Sequence, residues 1–181
     1  ILAGLDVKKI HQGVISVLNQ NNYIDLLKFA QIFRFCKSNN FSSNVLMTYS
    51  DGLNYFGKWY LQLWAESIGK QNRGVTALHA SGTTDQHSQL QLYLDGPKDK
   101  FFTFIKSNYK NKGLNINSQI MKTESVDYLI DKKMGDLMHA EQDATIDTFR
   151  LNDFKLREIL IDRIDEESIG MLMASSMIET I

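Results

Sequence analysis

Short apolar segments alternate with helical segments along this chain, and this alternation limits the folds that it can adopt. The clearest apolar segments are residues 44–49, 100–105 and 156–162, and a weaker extended segment covers residues 75–79. Apolar side chains at successive positions indicate a strand that is buried on both faces. Strands of this kind occur in parallel sheets that carry helices on both sides. The sequence therefore predicts an α/β fold, with a parallel sheet flanked by helices on both faces.

Six segments around these strands have apolar residues at helical spacing. Their approximate ranges are 7–19, 24–36, 53–68, 83–94, 125–149 and 165–177. Asp6 precedes the first segment and is a suitable N-cap. Thr83, with Gln86 three positions later, has the spacing of a capping box, which predicts that Thr83 caps the fourth helix.

Composition and charge argue against several classes of function. The chain has 181 residues, 43% of them hydrophobic, which suits one domain with a sizeable core. The formal net charge of −1 gives no electrostatic basis for binding nucleic acid or an anionic membrane. No apolar run is long enough to predict a membrane span. Cys36 is the single cysteine, so no internal disulfide is expected and a reducing, cytoplasmic location is favoured.

The sequence contains no recognisable metal or nucleotide motif. The histidines have no metal-ligand spacing with one another or with Cys36, and dinucleotide, Walker and nucleophile-elbow fingerprints are absent. The residues alone therefore indicate no metal or nucleotide site. Because ligands of parallel α/β folds bind beyond the carboxyl ends of strands, the loops after Tyr49 and before Thr84 are the first candidates for a site.

Glu66 is a candidate general base on the third predicted helix. Gln62 and Glu66 lie one turn apart, on a different face from the apolar stripe, and Trp59 and Trp64 flank them. A carboxylate beside an amide can accept a proton from a polar substrate. Glu66 also precedes Lys70 by four positions, which is the favoured spacing for a surface ion pair. Both interpretations remain open on the residues alone.

His87 is a candidate acid–base group on the fourth predicted helix. If Thr83 is the N-cap, His87 lies in the first turn or just beyond it, where the helix dipole favours a neutral imidazole. A neutral imidazole can both accept and donate a proton. The alternative is a structural histidine in the core. Gln86, Gln89 and Gln91 have side chains that suit sugar hydroxyls, although a solvated helix face explains them equally.

Several segments in a fixed order carry a resemblance to a known family. They include QLWAESIGK at 62–70 and DQHSQLQLYLDGP at 85–97, with further similarity at 3–7, 45–50, 131–136, 140–144 and 177–181. Together they resemble glucose-6-phosphate isomerase in its bacterial form, over nearly the whole chain. The similar region of that family is its second sugar-isomerase (SIS) domain. The resemblance implies a flavodoxin-like three-layer sandwich of the SIS type.

The resemblance implies an activity and roles for three residues. The activity is interconversion of glucose 6-phosphate and fructose 6-phosphate through an enediol, a step of glycolysis and gluconeogenesis. Glu66 matches the family's catalytic glutamate, which moves a proton between C1 and C2, and Gln62 matches a substrate-side glutamine. His87 matches the ring-opening histidine, which the partner subunit supplies in that family. A homodimer with shared active sites, acting on a sugar phosphate without metal or cofactor, is therefore implied.

The resemblance also implies that residues 1–181 are an incomplete second SIS domain of a two-domain protein. The family's first SIS domain carries a phosphate-binding serine and threonine loop, and its catalytic lysine lies in a C-terminal segment. Neither is present here, so we expect an active parent protein and an inactive isolated chain. A non-catalytic sugar-phosphate-binding SIS module is the alternative, and a dimerisation fragment is a third possibility. The presence of both Glu66 and His87 argues against a sensor, which needs neither.

Overall fold

A four-stranded parallel sheet forms the centre of the protein. The computed structural model describes residues 3–19, 28, 31–72, 74–117 and 124–181. The strands are β1 (Ser43–Thr48), β2 (Thr76–Ser81), β3 (Lys100–Ser107) and β4 (Leu156–Ile161). Their order is β2-β1-β3-β4, and each neighbouring pair is parallel. The predicted α/β class and parallel sheet are therefore confirmed.

Six helices accompany the sheet in the described ranges. They are α1 (Val7–Leu18), α2 (Ile32–Ser38), α3 (Asn54–Ile68), α4 (Gly82–Asp95), α5 (Met134–Leu151) and α6 (Glu166–Glu179). Asp6 caps α1 as predicted, because its carboxylate accepts hydrogen bonds from the backbone N–H groups of Lys8 and Lys9. Asp165 caps α6 in the same way through the N–H of Ser168. In the described part of the chain, no helix is both long and apolar enough to cross a membrane.

The helices cover both faces of the sheet, because successive residues of a strand point to opposite faces. Val45 and Met47 of β1 pack with aromatic side chains of β3, α4 and α5, whereas Leu46 packs on the other side with α3 and α6. All three β1 side chains are almost fully buried. Burial of such a side chain stabilises the fold by about 1.5–3 kcal/mol. The two-sided burial explains why the strands are apolar at successive positions.

Close backbone contacts at two glycines, one on each helix, hold α1 against α6. A Cβ atom on Gly13 would lie 2.0 Å from the carbonyl oxygen of Glu167, and one on Gly170 would lie 2.2 Å from that of Ile10. The two backbones therefore meet at a distance that only glycine permits. Gly13, which weakens α1 by propensity, is needed for its packing.

The predicted single helix over 125–149 is wrong. Glu124–Leu129 is a 3-10 segment, Asp131 has a positive φ of 63°, and α5 begins at Met134. Asp136 accepts hydrogen bonds from the backbone N–H groups of Lys133 and Asn111, each at 2.8 Å. These bonds fix a helix start that apolar spacing alone does not reveal. The predicted second helix falls partly on residues 20–27 and 29–30, which lie outside the described residues.

Candidate active site

Glu66 lies in the last turn of α3, on the side that faces away from the sheet. The buried row of this helix contains Phe56, Tyr60 and Trp64, and Glu66 lies opposite it. Both Gln62 and Glu66 are exposed. The amide nitrogen Nε2 of Gln62 donates a hydrogen bond of 3.0 Å to Oε1 of Glu66. An amide donor therefore holds one carboxylate oxygen, and the other is available to a substrate.

The surroundings of Glu66 favour a site over a simple surface ion pair. Glu66 and Lys70 are both described, and no ion pair forms between them. The end of α3 is fixed to the sheet because Nε1 of Trp64 donates a 2.7 Å hydrogen bond to the carbonyl oxygen of Val75. A cleft of about 340 Å³ lies beside this turn, between α3 and the start of β2. Its lining includes Ala65 and Gly69, which flank the turn that carries Glu66.

The predicted N-cap of α4 is wrong, and the position of His87 changes with it. Ser81 is the N-cap, and Asp85 accepts a 2.6 Å hydrogen bond from its backbone N–H. Thr83 is already inside the helix, so His87 is its sixth residue and lies in the second turn. The influence of the helix dipole fades within the first turn. His87 therefore lies beyond the reach of the helix dipole, as an exposed side chain on α4.

The earlier start of α4 follows from its packing on Tyr49. A Cβ atom on Gly82 would lie 2.5 Å from the Tyr49 ring, so the first residue of the helix sits directly on that ring. The Tyr49 hydroxyl donates a 3.0 Å hydrogen bond to Oε1 of Gln86, one turn further along. Oε1 of Gln89 likewise accepts a 2.6 Å bond from Tyr93. The amide of Gln91 donates to the carboxylate of Asp95. All three candidate sugar-binding glutamines are therefore engaged within the protein.

Glu66 and His87 lie on helices that cover opposite faces of the sheet. α3 packs with Leu46, whereas α4 packs with Val45 and Met47. β2, which has six residues, connects the loop after α3 to the start of α4. The structure therefore does not bring these two side chains together within one chain.

A larger cleft, of about 640 Å³, lies beside α5 and contains neither candidate residue. Its lining includes Asp136, His139 and Asp143. Asp136 binds backbone N–H groups, and Asp143 pairs with Lys106 at 2.6 Å and with His139 at 3.3 Å. Its carboxylates are therefore occupied by protein contacts. Among the described residues, no group of three or more His, Cys, Asp or Glu side chains could hold a metal ion.

Sequence reasoning missed the residues that shape the carboxyl edge of the sheet. Ser81 donates a 3.0 Å hydrogen bond from Oγ to Oδ1 of Asn54, which joins the starts of α3 and α4. Nε2 of His79 lies 3.0 Å from Oγ1 of Thr48, and burial lowers the pKa of His79. These bonds join positions that are far apart in sequence. Local spacing carries no signal for them.

Curated proteins similar to this chain are named glucose-6-phosphate isomerase. A probable glucose-6-phosphate isomerase from Haloarcula marismortui is 42% identical over 130 residues, which are 72% of this chain and 29% of that protein. The Methanococcus maripaludis protein, also named as probable, is 33% identical over 97% of this chain and 40% of its own length. The Methanocaldococcus jannaschii enzyme is 33% identical over 94% of this chain and 43% of its own length. The chain thus spans less than half the length of these relatives, and no family model matches it.

Solved structures show the same fold. A hypothetical protein from Thermus thermophilus superposes with a TM-score of 0.89 at 26% identity, over 98% of this chain and 44% of its own. A glucose-6-phosphate isomerase from Chlamydia trachomatis superposes with a TM-score of 0.70 over 95% of this chain and 37% of its own length. Its identity of 17% supports the fold alone. The similarity to both extends over nearly the whole of this chain.

Proposed function

Because this chain belongs to the glucose-6-phosphate isomerase family, we propose that the full-length protein interconverts glucose 6-phosphate and fructose 6-phosphate. The observation that carries this proposal is the outward-facing Glu66, whose carboxylate accepts a hydrogen bond from Gln62. Within that protein, residues 1–181 form the incomplete second SIS domain. The resemblance assigns the phosphate contacts and a catalytic lysine to other parts of the protein.

Glu66 is the proton shuttle in this mechanism. With the open-chain aldose, its free carboxylate oxygen removes the proton on C2, and the electrons of that C–H bond form a C1–C2 double bond. The carbonyl oxygen on C1 gains a proton, which gives an enediol. Glu66 then returns its proton to C1 while the hydroxyl on C2 loses its own and becomes the ketone. A positioned base of this kind contributes about 10²–10⁴-fold to the rate.

Gln62 has two roles in this scheme. Its hydrogen bond to Oε1 fixes the orientation of the carboxylate that accepts the proton. Its exposed position also allows the amide to contact the sugar, as the resemblance implies. The two roles are compatible because an amide has two donor hydrogens and one acceptor oxygen.

His87 opens the sugar ring in the active site of a second copy. Ring opening requires a proton on the ring oxygen, and an imidazole can supply it. Since the helices that carry the two candidate residues cover opposite faces of one chain's sheet, a homodimer in which each copy lends His87 to the other supplies both groups. The exposure of both side chains supports such sharing. The single cysteine and the resemblance favour a cytoplasmic enzyme that binds neither nucleic acid nor membrane.

A coupled assay of the full-length protein tests the proposal. Wild-type protein should convert fructose 6-phosphate, and Glu66→Gln should lower turnover by at least about 100-fold while substrate binding persists. Glu141→Gln, which changes a carboxylate on α5, is the matched control and should remain active. Turnover above about a tenth of wild type in Glu66→Gln would exclude Glu66 as the base. Wild-type protein that binds sugar phosphate without converting it would instead support the non-catalytic binding module.

A further inference from the structure

Tyr49 anchors the helix that carries His87. It follows the last residue of β1, its side chain is 2% exposed, and its hydroxyl donates to Oε1 of Gln86 at 3.0 Å. Gln86 is the residue immediately before His87. The ring of Tyr49 also lies beneath Gly82, where a Cβ atom would come within 2.5 Å of it. One buried side chain therefore contacts two successive turns of α4.

The other core contacts of α4 lie in its second half, where Leu90 and Leu94 pack against the core. Only Gly82 and Tyr93 of this helix are fully buried. Asp85 fixes the position of the first turn of α4 along the helix axis. Its carboxylate accepts hydrogen bonds from the backbone N–H of Ser81 and the hydroxyl of Ser88. Tyr93 lies near the far end of the helix. The contact between Tyr49 and Gln86 is therefore the one that fixes rotation closest to His87.

The Tyr49 hydroxyl retains the proton that it donates to Gln86. The pKa of Tyr49 is raised to about 12, mainly by burial. A hydrogen bond with Thr145 opposes this shift, and the charge of Glu141 contributes to it. The phenol therefore keeps its proton at neutral pH. Without that donor, Oε1 of Gln86 would lose its partner at a half-buried position.

We propose that Tyr49 is a positioning residue for His87, acting through Gln86 to set the rotation of α4. This inference rests on the ring-opening role of His87 in the proposed function. A side-chain tip lies about 6 Å from a helix axis, so a rotation of about 10° moves it by about 1 Å. A displacement of that size can lower a catalysed rate by about 100-fold. Tyr49 itself touches neither substrate nor reacting atoms.

Two buried tyrosines allow a matched comparison in the full-length protein. Tyr49→Phe removes the bond that joins β1 to Gln86, whereas Tyr93→Phe removes a bond to Gln89 within α4. Both tyrosines are 2% exposed, and burial raises the pKa of Tyr93 to about 12 as well. Turnover of the cyclic sugar reports ring opening, and exchange of the C2 proton in open-chain sugar reports the step at Glu66. Thermal unfolding of each variant reports stability.

Tyr49→Phe should lower turnover of the cyclic sugar by about tenfold or more and change C2-proton exchange by less than about twofold. Tyr93→Phe should change either rate by less than about twofold, although it should lose about as much thermal stability as Tyr49→Phe. Gln86→Leu should reproduce the effect of Tyr49→Phe, and the double variant should be no worse than the poorer single one. A merely structural role would lower both rates together.

Equal losses in both assays, or no loss in either, would overturn the positioning role. The His87→Ala variant distinguishes failure of the positioning role of Tyr49 from failure of the proposed function. If His87→Ala impairs ring opening and Tyr49→Phe does not, only the inference about Tyr49 is wrong. If His87→Ala leaves ring opening intact, the role of His87 is wrong and the inference about Tyr49 falls with it.

Discussion

Mixing two inactive variants should restore activity if each active site draws on two chains. The variants are Glu66→Gln and His87→Ala, made separately in the full-length protein. Within one chain, the helices that carry the two positions cover opposite faces of the sheet. Each reacting group must come within about 3–3.5 Å of the sugar, so we expect the two groups at one site to come from different chains.

The expected recovery follows from the symmetry of a dimer. When subunits exchange freely at equal amounts, about half of the dimers are hybrids. A hybrid contains one site that lacks both groups and one site that has both. The mixture should therefore reach about one quarter of wild-type turnover, far above the residual activity of either variant.

The assay measures fructose 6-phosphate conversion before and after subunit exchange, with native mass spectrometry to count hybrids. A mixture of Glu66→Gln with Glu66→Ala is the control, because every site then lacks Glu66. The reasoning would be refuted if hybrids form and turnover stays at the sum of the two variants. That result would mean that one chain supplies both groups, or that one of them has no role.

Three further predictions concern stability, each measured by urea unfolding. Gly13→Ala should lower the free energy of unfolding by about 2 kcal/mol, because the new Cβ meets the Glu167 carbonyl, while Gly52→Ala, which has room, should change it little. Asp165→Ala should cost about 1 kcal/mol through the lost cap of α6, and an unchanged value would contradict the cap. Burial, aided by Lys58 and opposed by Asp85, lowers the pKa of His79 below 6.5, so the unfolded chain takes up this proton first. Stability should therefore fall as pH drops below about 6.5, and His79→Gln should flatten that slope.

The sequence by itself determined that strands alternate with helices and that the strands are buried on both faces. Successive apolar residues in β1 and β3 predicted strands buried on both faces, and the structure confirms them. The spacing of Gln62 and Glu66 placed them one turn apart, where a hydrogen bond now joins them. Features of this kind follow from backbone geometry within a few residues. The family resemblance also rested on local motifs.

Boundaries that depend on distant contacts were predicted wrongly. Thr83 has a good capping-box sequence, yet Gly82 can lie on the Tyr49 ring and Asp85 can bind the Ser81 N–H, so α4 begins earlier. The helix predicted from residue 125 instead begins at Met134, where Asp136 binds an N–H from a separate loop. In both cases, tertiary contacts outweighed local propensity, which amounts to less than about 1 kcal/mol per residue.

Only the tertiary structure decided where Glu66 and His87 lie relative to each other. They are 21 positions apart in sequence, a separation that predicts no distance by itself. β2 pairs in parallel with β1, and the helices before and after β2 pack on opposite faces of the sheet. Glu66 therefore lies on one face and His87 on the other, because strand pairing and helix packing fix positions that no local spacing encodes.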